Sequence, residues 1–394
     1  MKRKTWFWAL TPVAVALSLY GCGNGSDSDL AVDNNAQSCS VVSGTGSAVV
    51  VGSGLPGDPA APEAASGYRL GYKAKQSSNY MVVANTPLAT KAGCDVLKAG
   101  GTAVDAAVAV QAVLGLVEPQ SSTIAGSAFM MYYDAANKKV VAYDGRETAP
   151  AAATGYYLAR QDQNNASSPA PVPSARRSGR SIGVPGVMRM LDMAHKEHGK
   201  LAWAPLFDEG IRLASSGYKI PGRMGDAIRT NAANLQLDAN AVAAYFNADG
   251  TPKTTGTVTT NLPYAQSLRT LATGGADAMY SGPLADAIVA KAAQSVGDDV
   301  AKTPITPSLM TVTDLKNYQA KKREPVCTTY RSSYYICTMS PPSSGGIAIA
   351  QSLGILENFD LSQYGPTNPS NEGGVPSVMG VHLVSEAQRL AYAD

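Results

Sequence analysis

Residues 85–150 constrain the fold of this chain more than any other part of the sequence. Apolar residues recur at helical spacing after Pro87, which suits the first turn of a helix, and the pair Gly100-Gly101 ends that pattern. A second apolar segment, residues 103–116, is hydrophobic on nearly every side. This pattern predicts a short helix followed by a buried central helix.

A β-hairpin is predicted directly after these two helices. Residues 127–133 and 139–144 are strand-like, and the polar residues 134–138 between them indicate a turn. The second strand runs into the sequence Asp-Gly-Arg-Glu, so the hairpin delivers one arginine, Arg146.

The N-terminus has the pattern of a targeting segment. A positive stretch at residues 2–4 precedes an apolar run, residues 6–20, that is too short to span a bilayer. We therefore predict a signal peptide over residues 1–22, with a lipobox-like end at Leu-Tyr-Gly-Cys. This end favours lipidation of Cys22 and an exported protein, periplasmic or anchored to the membrane by lipid. The alternative is cleavage near Gly21 without lipid, since Tyr20 is unusual in such a box.

Residues 23–67 are rich in Gly, Ser, Ala, Asp and Pro, which is typical of a flexible spacer. Residues 52–57 fit the formal pattern G-x-G-x-x-G. A dinucleotide site requires a helix to begin there, and Pro59 and Pro62 prevent a regular helix. We interpret the segment as a turn in the spacer.

Export to an oxidising compartment permits disulfides among the five cysteines. Cys327 and Cys337 flank two short strand-like segments, and a local disulfide fits there, although sequence alone does not fix connectivity. Cys39 and Cys94 remain. Cys94 lies at the edge of an apolar helical stripe, which favours packing over a nucleophilic role.

Charge and histidine content exclude several classes of function. Charged residues make up 16% of the chain and the net charge is +2, so no nucleic-acid partner is indicated. A metalloprotease helix needs two histidines four residues apart, and His195 and His198 fail that spacing. We expect both to be exposed helix residues. The cluster Arg176, Arg177 and Arg180, in the polar segment 151–180, is expected to lie in a solvated surface loop.

Several long segments resemble the γ-glutamyltransferase (γ-glutamyltranspeptidase) family. They are AVDAAVAVQAVLGLVEPQSS, FMMYYDAANKKVVAYDGRETAP, SIGVPG and PPSSGG, in the family's order, within residues 79–394. A short motif can match by chance, whereas several collinear segments rarely do. The resemblance identifies residues 68–394 as similar to the large subunit, ending within a segment that continues in relatives.

The resemblance implies an α+β fold, in which this helix-rich chain supplies part of the αββα sandwich of N-terminal nucleophile hydrolases. The implied activity is γ-glutamyl transfer or hydrolysis on glutathione-like donors, with an amino acid, a peptide or water as acceptor. In such enzymes a precursor cleaves itself, and the new N-terminal Thr attacks the donor. That Thr is expected beyond Asp394, in a missing small subunit. No metal or organic cofactor is implied.

Arg146 matches the family's arginine that binds the α-carboxylate of the donor. A planar guanidinium binds a carboxylate in bidentate fashion, and Asp144 and Glu147 on either side could orient it or pair with it. The alternative is a surface salt bridge at the hairpin end.

The Pro-Pro-Ser-Ser-Gly-Gly turn holds Ser343, Ser344, Gly345 and Gly346. No G-x-S-x-G elbow is present, so a serine-hydrolase interpretation is not favoured. By resemblance these residues line the site, and the serine caps the helix that follows. His382 is interpreted as a packed helix residue.

The chain departs from the family pattern at residues 123–128, where most of the usual glycines are replaced. Because glycine allows positive φ and close backbone approach, Ala or Ser here predicts a less strained turn or a filled gap. This difference favours a related amidase or cephalosporin-type acylase as an alternative to glutathione chemistry. A second alternative is a lipid-anchored relative or truncated product that only binds ligand, which the missing nucleophile favours if the chain is the whole protein. The intact Asp-Gly-Arg-Glu sequence opposes the acylase alternative.

Overall fold

The computed structural model describes Cys39 and residues 77–370 and 373–394. The predicted signal peptide, the lipidation site Cys22 and all of the predicted spacer except Cys39 lie outside the described residues. Within the described residues, no helix is both long enough and apolar enough to cross a membrane.

Two helices form the start of the folded body, as the sequence predicts. Helix α1 spans Pro87–Lys98 and helix α2 spans Ala103–Val117. Thr102 and Asp105 form a reciprocal capping box at the start of α2, so two otherwise unpaired backbone N–H groups are satisfied. Both predicted helices are confirmed, and α2 is buried along most of its length.

The remaining helices follow in chain order. They are α3 (Val187–His198), α4 (Asp208–Ser216), α5 (Gly222–Leu235), α6 (Ala239–Tyr245), α7 (Leu262–Gly274), α8 (Asp277–Tyr280), α9 (Pro283–Ala292), α10 (Val312–Asn317), α11 (Ser344–Leu356) and α12 (Val378–Ala393). The larger core cluster forms where α2, α3, α7, α8 and α9 pack on one another and on the sheet.

The strands are short and mostly paired in hairpins. They are β1 (Ala128–Asp134), β2 (Lys139–Gly145), β3 (Tyr218–Lys219), β4 (Val258–Thr259), β5 (Lys321–Arg323), β6 (Val326–Tyr330), β7 (Tyr334–Thr338), β8 (Thr367–Ser370) and β9 (Gly373–Val375). Strand β2 lies between β1 and β5, antiparallel to both. The predicted hairpin of β1 and β2 is confirmed, and the mixture of helices and antiparallel strands is an α+β fold.

The two histidines of α3 are not exposed, and that prediction was wrong. The His195 ring contacts the buried Asp105 carboxylate at 3.3 Å. The His198 ring stacks on Tyr132 and its Nε2 lies 2.8 Å from the hydroxyl of Tyr143. The sheet covers one side of α3, and helix periodicity alone does not show which polar residues meet it.

Two disulfides are present among the described cysteines. Cys327–Cys337 joins β6 to β7 and confirms the predicted local bridge. Cys39–Cys94 ties a residue of the predicted spacer to α1. The interpretation of Cys94 as a packing residue was therefore wrong, because Cys94 forms a disulfide. Local periodicity did not show this pairing, since Cys39 lies 55 positions away in the sequence.

One helix start and one loop differ from expectation. At α10, Thr311 is the N-cap residue and forms a capping box with Asp314. Ser343 occupies the N-cap position of α11 but its side chain makes no capping hydrogen bond. Much of the segment 151–180 is exposed as predicted, but Arg180 is only 5% exposed, so its placement in a solvated loop was wrong.

Gly186 gives a test of the packing between β2 and α3. A Cβ atom at Gly186 would lie 2.1 Å from the carbonyl oxygen of Gly145 and 2.3 Å from the hydroxyl of Tyr318. We expect Gly186→Ala to lower the free energy of unfolding by about 1–3 kcal/mol or more, because backbone has to move to make room. Urea unfolding measures this change.

Gly155→Ala is the matched control for Gly186→Ala. A Cβ atom at Gly155 meets nothing within 4 Å, so the control should stay within about 0.5 kcal/mol of the parent. Equal stability of the two variants would contradict the close approach of β2 and α3.

Candidate substrate-binding site

Arg146 directly follows β2, and its backbone is held from both sides. The carboxylate of Asp144 accepts a hydrogen bond from the backbone N–H of Arg146 at 2.8 Å. The hydroxyl of Tyr318 donates to the backbone carbonyl of Arg146 at 2.7 Å. A residue at the end of a strand is thus fixed in position although its side chain is 47% exposed.

Asp144 does not pair with the guanidinium of Arg146. Its second carboxylate oxygen accepts a hydrogen bond from Nε of Arg323 at 2.6 Å, across the pairing of β2 with β5. Asp144 is nearly buried and Arg323 is about one-third exposed, at 33%. Because Arg323 balances the buried carboxylate, Asp144 can orient the Arg146 backbone without neutralising the Arg146 side chain.

Glu147 is the acidic partner of the Arg146 side chain. Nε of Arg146 lies 3.1 Å from Oε1 of Glu147, and the guanidinium carbon lies 5.8 Å from the centre of the Phe129 ring. Within the described chain, neither Nη atom of Arg146 has a hydrogen-bond partner. The end of the guanidinium is therefore available to bind a carboxylate in bidentate fashion.

The charge of Glu147 is favoured by its surroundings. Partial burial raises the pKa of Glu147, but a hydrogen bond from Ser127 and the nearby charge of Arg146 outweigh that effect and hold the pKa below its usual value. Glu147 is therefore ionised at neutral pH and supports the orientation of Arg146.

The turn before β1 is hydrogen-bonded to the start of α3, next to the strand that carries Arg146. The carbonyl of Gly126 accepts hydrogen bonds from the backbone N–H groups of Gly186 (2.9 Å) and Val187 (3.1 Å), at the start of α3. None of residues 121–128 has a positive φ. The replacement of the family's glycines here is thus compatible with an ordinary backbone, in agreement with the expectation of a less strained turn.

The structure does not join the predicted site-lining turn to Arg146. Ser343, Ser344, Gly345 and Gly346 begin α11, which packs against β6, β7 and α12. Among the described residues no hydrogen bond or ion pair links this turn to the Asp144–Glu147 segment. A Cβ atom at Gly346 would lie 1.9 Å from the carbonyl oxygen of Met339, so this glycine allows α11 to approach β7 closely. The site-lining role of the turn stays a prediction.

Sequence reasoning missed Arg323 and Tyr318 as parts of the site. Arg323 lies in a run of basic residues that indicated only the start of a strand, and Tyr318 lies in a loop after α10. Each of these residues contacts a partner more than 170 positions away in the sequence, so the surrounding residues give no sign of the contact. In the described residues, no group of three or more His, Cys, Asp or Glu side chains is arranged to hold a metal ion.

Comparison with known proteins places this geometry in a family. The sequence profile described as gamma-glutamyltranspeptidase matches residues 89–394. The chain belongs to the γ-glutamyltranspeptidase family. Arg146 and its supporting residues lie within the part of the chain that the family profile matches.

Curated relatives and a solved structure agree with this membership. The chain is 35% identical to a glutathione hydrolase proenzyme of Bacillus subtilis over 316 residues, which cover 80% of this chain and 49% of that protein. It is 33% identical over 323 residues to an acylase ACY 1 proenzyme of a Pseudomonas strain, covering 82% of this chain and 54% of that protein. The chain spans about half the length of these relatives.

The fold is that of the solved family members. The crystal structure of the Helicobacter pylori γ-glutamyltranspeptidase matches with a TM-score of 0.70 at 31% identity, over 82% of this chain and 84% of that chain. This likeness confirms the expected N-terminal nucleophile hydrolase-like fold, of which the chain contains the helix-rich part.

Arg323→Gln tests whether Arg323 supports the site. The change leaves the nearly buried Asp144 carboxylate without its ionic partner, so we expect the free energy of unfolding to fall by about 1–3 kcal/mol. Urea unfolding measures the loss. Lys321→Gln, an exposed lysine in the same strand, is the matched control, and an equal loss in both variants would contradict the role of the Asp144–Arg323 pair.

The pKa of Glu147 gives a second test of the site. Titration followed by carboxyl NMR should give a pKa for Glu147 below the usual glutamate value, and Arg146→Gln should raise it. Because the folded pKa is lowered, ionisation of Glu147 stabilises the fold above the unfolded pKa, and this contribution is lost as the pH falls through the folded pKa. A pKa unchanged by Arg146→Gln would show that the two side chains do not interact.

Proposed function

We propose that this chain is the large-subunit part of an enzyme that transfers or hydrolyses the γ-glutamyl group of glutathione-like donors. The single observation that carries the proposal is Arg146, whose backbone is fixed by Asp144 and Tyr318 while both Nη atoms of its side chain have no partner among the described residues. A donor's α-carboxylate is the group that this fork fits.

The nucleophile is proposed to lie beyond Asp394, as an N-terminal Thr released when the precursor cleaves itself. The hydroxyl of such a Thr uses its own α-amine as base, attacks the γ-amide and forms an acyl-enzyme, which water or an amino acid then resolves. This chain contributes the binding of the donor. The B. subtilis and Pseudomonas relatives are both named as proenzymes, which supports the proposal of a cleaved precursor.

The proposed partner is the small subunit of the same precursor. Helices α11 and α12 pack together, and only Ala387 and Ala391 of α12 are buried. Both helices expose large apolar side chains, which a monomer rarely leaves uncovered in one region. They are Ile347, Ile349, Val378, Met379, Val381, Val384, Leu390 and Tyr392.

Export and a lipid anchor at Cys22 are part of the proposal. The two disulfides, Cys39–Cys94 and Cys327–Cys337, support residence in an oxidising compartment. Lipidation rests on the lipobox-like sequence, and mass spectrometry of the N-terminal peptide of the mature protein would identify the lipid.

A related acylase is the second candidate function. The similarity to the Pseudomonas acylase proenzyme favours it, and the Asp-Gly-Arg-Glu sequence with its unpaired Nη atoms favours the γ-glutamyl donor. A glutaryl amide keeps the donor's terminal carboxylate and lacks only its α-amine, so an acylase should cleave it as readily as a γ-glutamyl amide. A non-catalytic binding protein should cleave neither.

Arg146→Gln in the full precursor tests the proposed function. Loss of a bidentate charge-assisted contact should lower kcat/KM for γ-glutamyl-p-nitroanilide by about 10²-fold or more, mainly through KM. Release of nitroaniline measures the rate. The purified precursor should also yield a second polypeptide that begins with Thr.

Arg229→Gln is the matched control for this experiment. Arg229 is an exposed arginine on α5 that pairs with an aspartate, so its loss should leave kcat/KM unchanged. An unchanged rate for Arg146→Gln would refute the assigned role, and absence of nitroaniline release from the unmutated protein after its cleavage into two polypeptides would favour the binding protein.

A further inference from the structure

Arg180 is a buried cation whose charge no carboxylate among the described residues balances. The residue is 5% exposed, and its Nη2 atom donates a hydrogen bond to the backbone carbonyl of Gln161 at 2.6 Å. Its guanidinium carbon lies 4.4 Å from the centre of the Tyr157 ring. A carbonyl and an aromatic face stabilise the cation but carry no negative charge.

Two nitrogen atoms of Arg180 have no acceptor in the part of the chain that the structure describes. Both Nε and Nη1 are buried without a hydrogen-bond partner. In the described part of the chain, Arg180 forms no salt bridge with any carboxylate. Arginine does not lose its proton in proteins, and a buried, unpaired charge is costly. A buried, unbalanced charge of this kind favours an anion bound nearby, which supplies the missing negative charge.

A cleft beside Arg180 has room for such a ligand. Its volume is about 480 Å³, within the range of small-molecule sites. Arg176 lines the same cleft and is exposed, while apolar side chains such as Leu158 and Ile182 form other parts of its wall. An anion in the cleft therefore meets one solvent-facing cation and one cation that is shielded from water, where electrostatic attraction is stronger.

Glu147 selects among anions in this cleft. It lines the cleft, and a glutamate side chain is ionised at neutral pH with or without Arg146 as its partner. Its negative charge repels a second negative charge, which costs more for a dianion than for a monoanion. The combination of two arginines with one carboxylate thus favours a monocarboxylate over phosphate.

We propose that the cleft between Glu147 and Arg180 is a second anion-binding site, separate from the fork of Arg146, which takes the carboxylate of a small monoanionic ligand. Arg180 supplies the buried positive charge and Arg176 the exposed one. The site needs no chemistry at the donor site and does not depend on the proposed reaction.

Calorimetric titration of the chain with sodium acetate tests this site. The titration is done at pH 7 and constant ionic strength in the Arg146→Gln background, which removes the carboxylate fork of the proposed donor site. We expect saturable binding that Arg180→Gln weakens by about tenfold or more, because the buried positive charge beside the cleft is lost. Inorganic phosphate should bind more weakly than acetate.

Two matched variants complete the design. Arg177→Gln is the control, because Arg177 is an exposed neighbour that donates to Asn234 and does not line the cleft, so acetate affinity should not change. Arg176→Gln should weaken acetate binding and removes only an exposed side chain, so it tests the site even if Arg180→Gln fails to fold. Thermal melting of each variant reports folding.

A second ligand distinguishes two sources of the carboxylate, a free small acid and a peptide C-terminus. N-Acetylglycylglycine presents a peptide C-terminus as a monoanion, and tighter binding than acetate would assign the site to peptide ends, whereas equal or weaker binding would assign it to free small acids. Absence of saturable acetate binding, or affinity unchanged by both Arg180→Gln and Arg176→Gln, would overturn the proposal. Activity loss in Arg146→Gln is independent of these outcomes.

Discussion

The site depends on one carboxylate, that of Asp144. One of its oxygen atoms accepts the backbone N–H of Arg146, and the other accepts Nε of Arg323. The first contact fixes the direction in which the chain leaves β2, and the second balances the buried negative charge. Without the pairing of β5 beside β2, the carboxylate would be buried alone, and the arginine after the strand would lose its anchor.

Close backbone packing connects the segment around Asp144 and Arg146 to helix α3. Gly145 and Gly186 lack side chains where β2 meets the start of α3, and Tyr318 reaches Arg146 through the same gap. On the other side of α3, the buried carboxylate of Asp105 accepts the backbone N–H groups of Lys200 and Leu201. Helix α2 is thereby joined to the segment after α3, the helix on which β1 and β2 pack.

Local patterns predicted the elements well, because they depend on neighbouring residues. The apolar periodicity after Pro87, the glycine pair at the end of α1 and the polar turn of the hairpin are all read within a few positions. Partners were predicted poorly. The bridge of Cys94 to Cys39 and the burial of Arg180 depend on segments that meet only after folding.

The sequence by itself indicated the family through its motifs and, through that resemblance, the α+β class. Local periodicity predicted the two leading helices and the hairpin that ends at Arg146. Only the tertiary structure decided which groups surround that arginine. In the folded chain, Asp144 pairs with Arg323 and Glu147 pairs with Arg146. Arg180 is buried beside a cleft. The physical reason is that hydrogen bonding and desolvation depend on distance in space. Local sequence patterns do not show which residues, far apart in the chain, come into contact after folding.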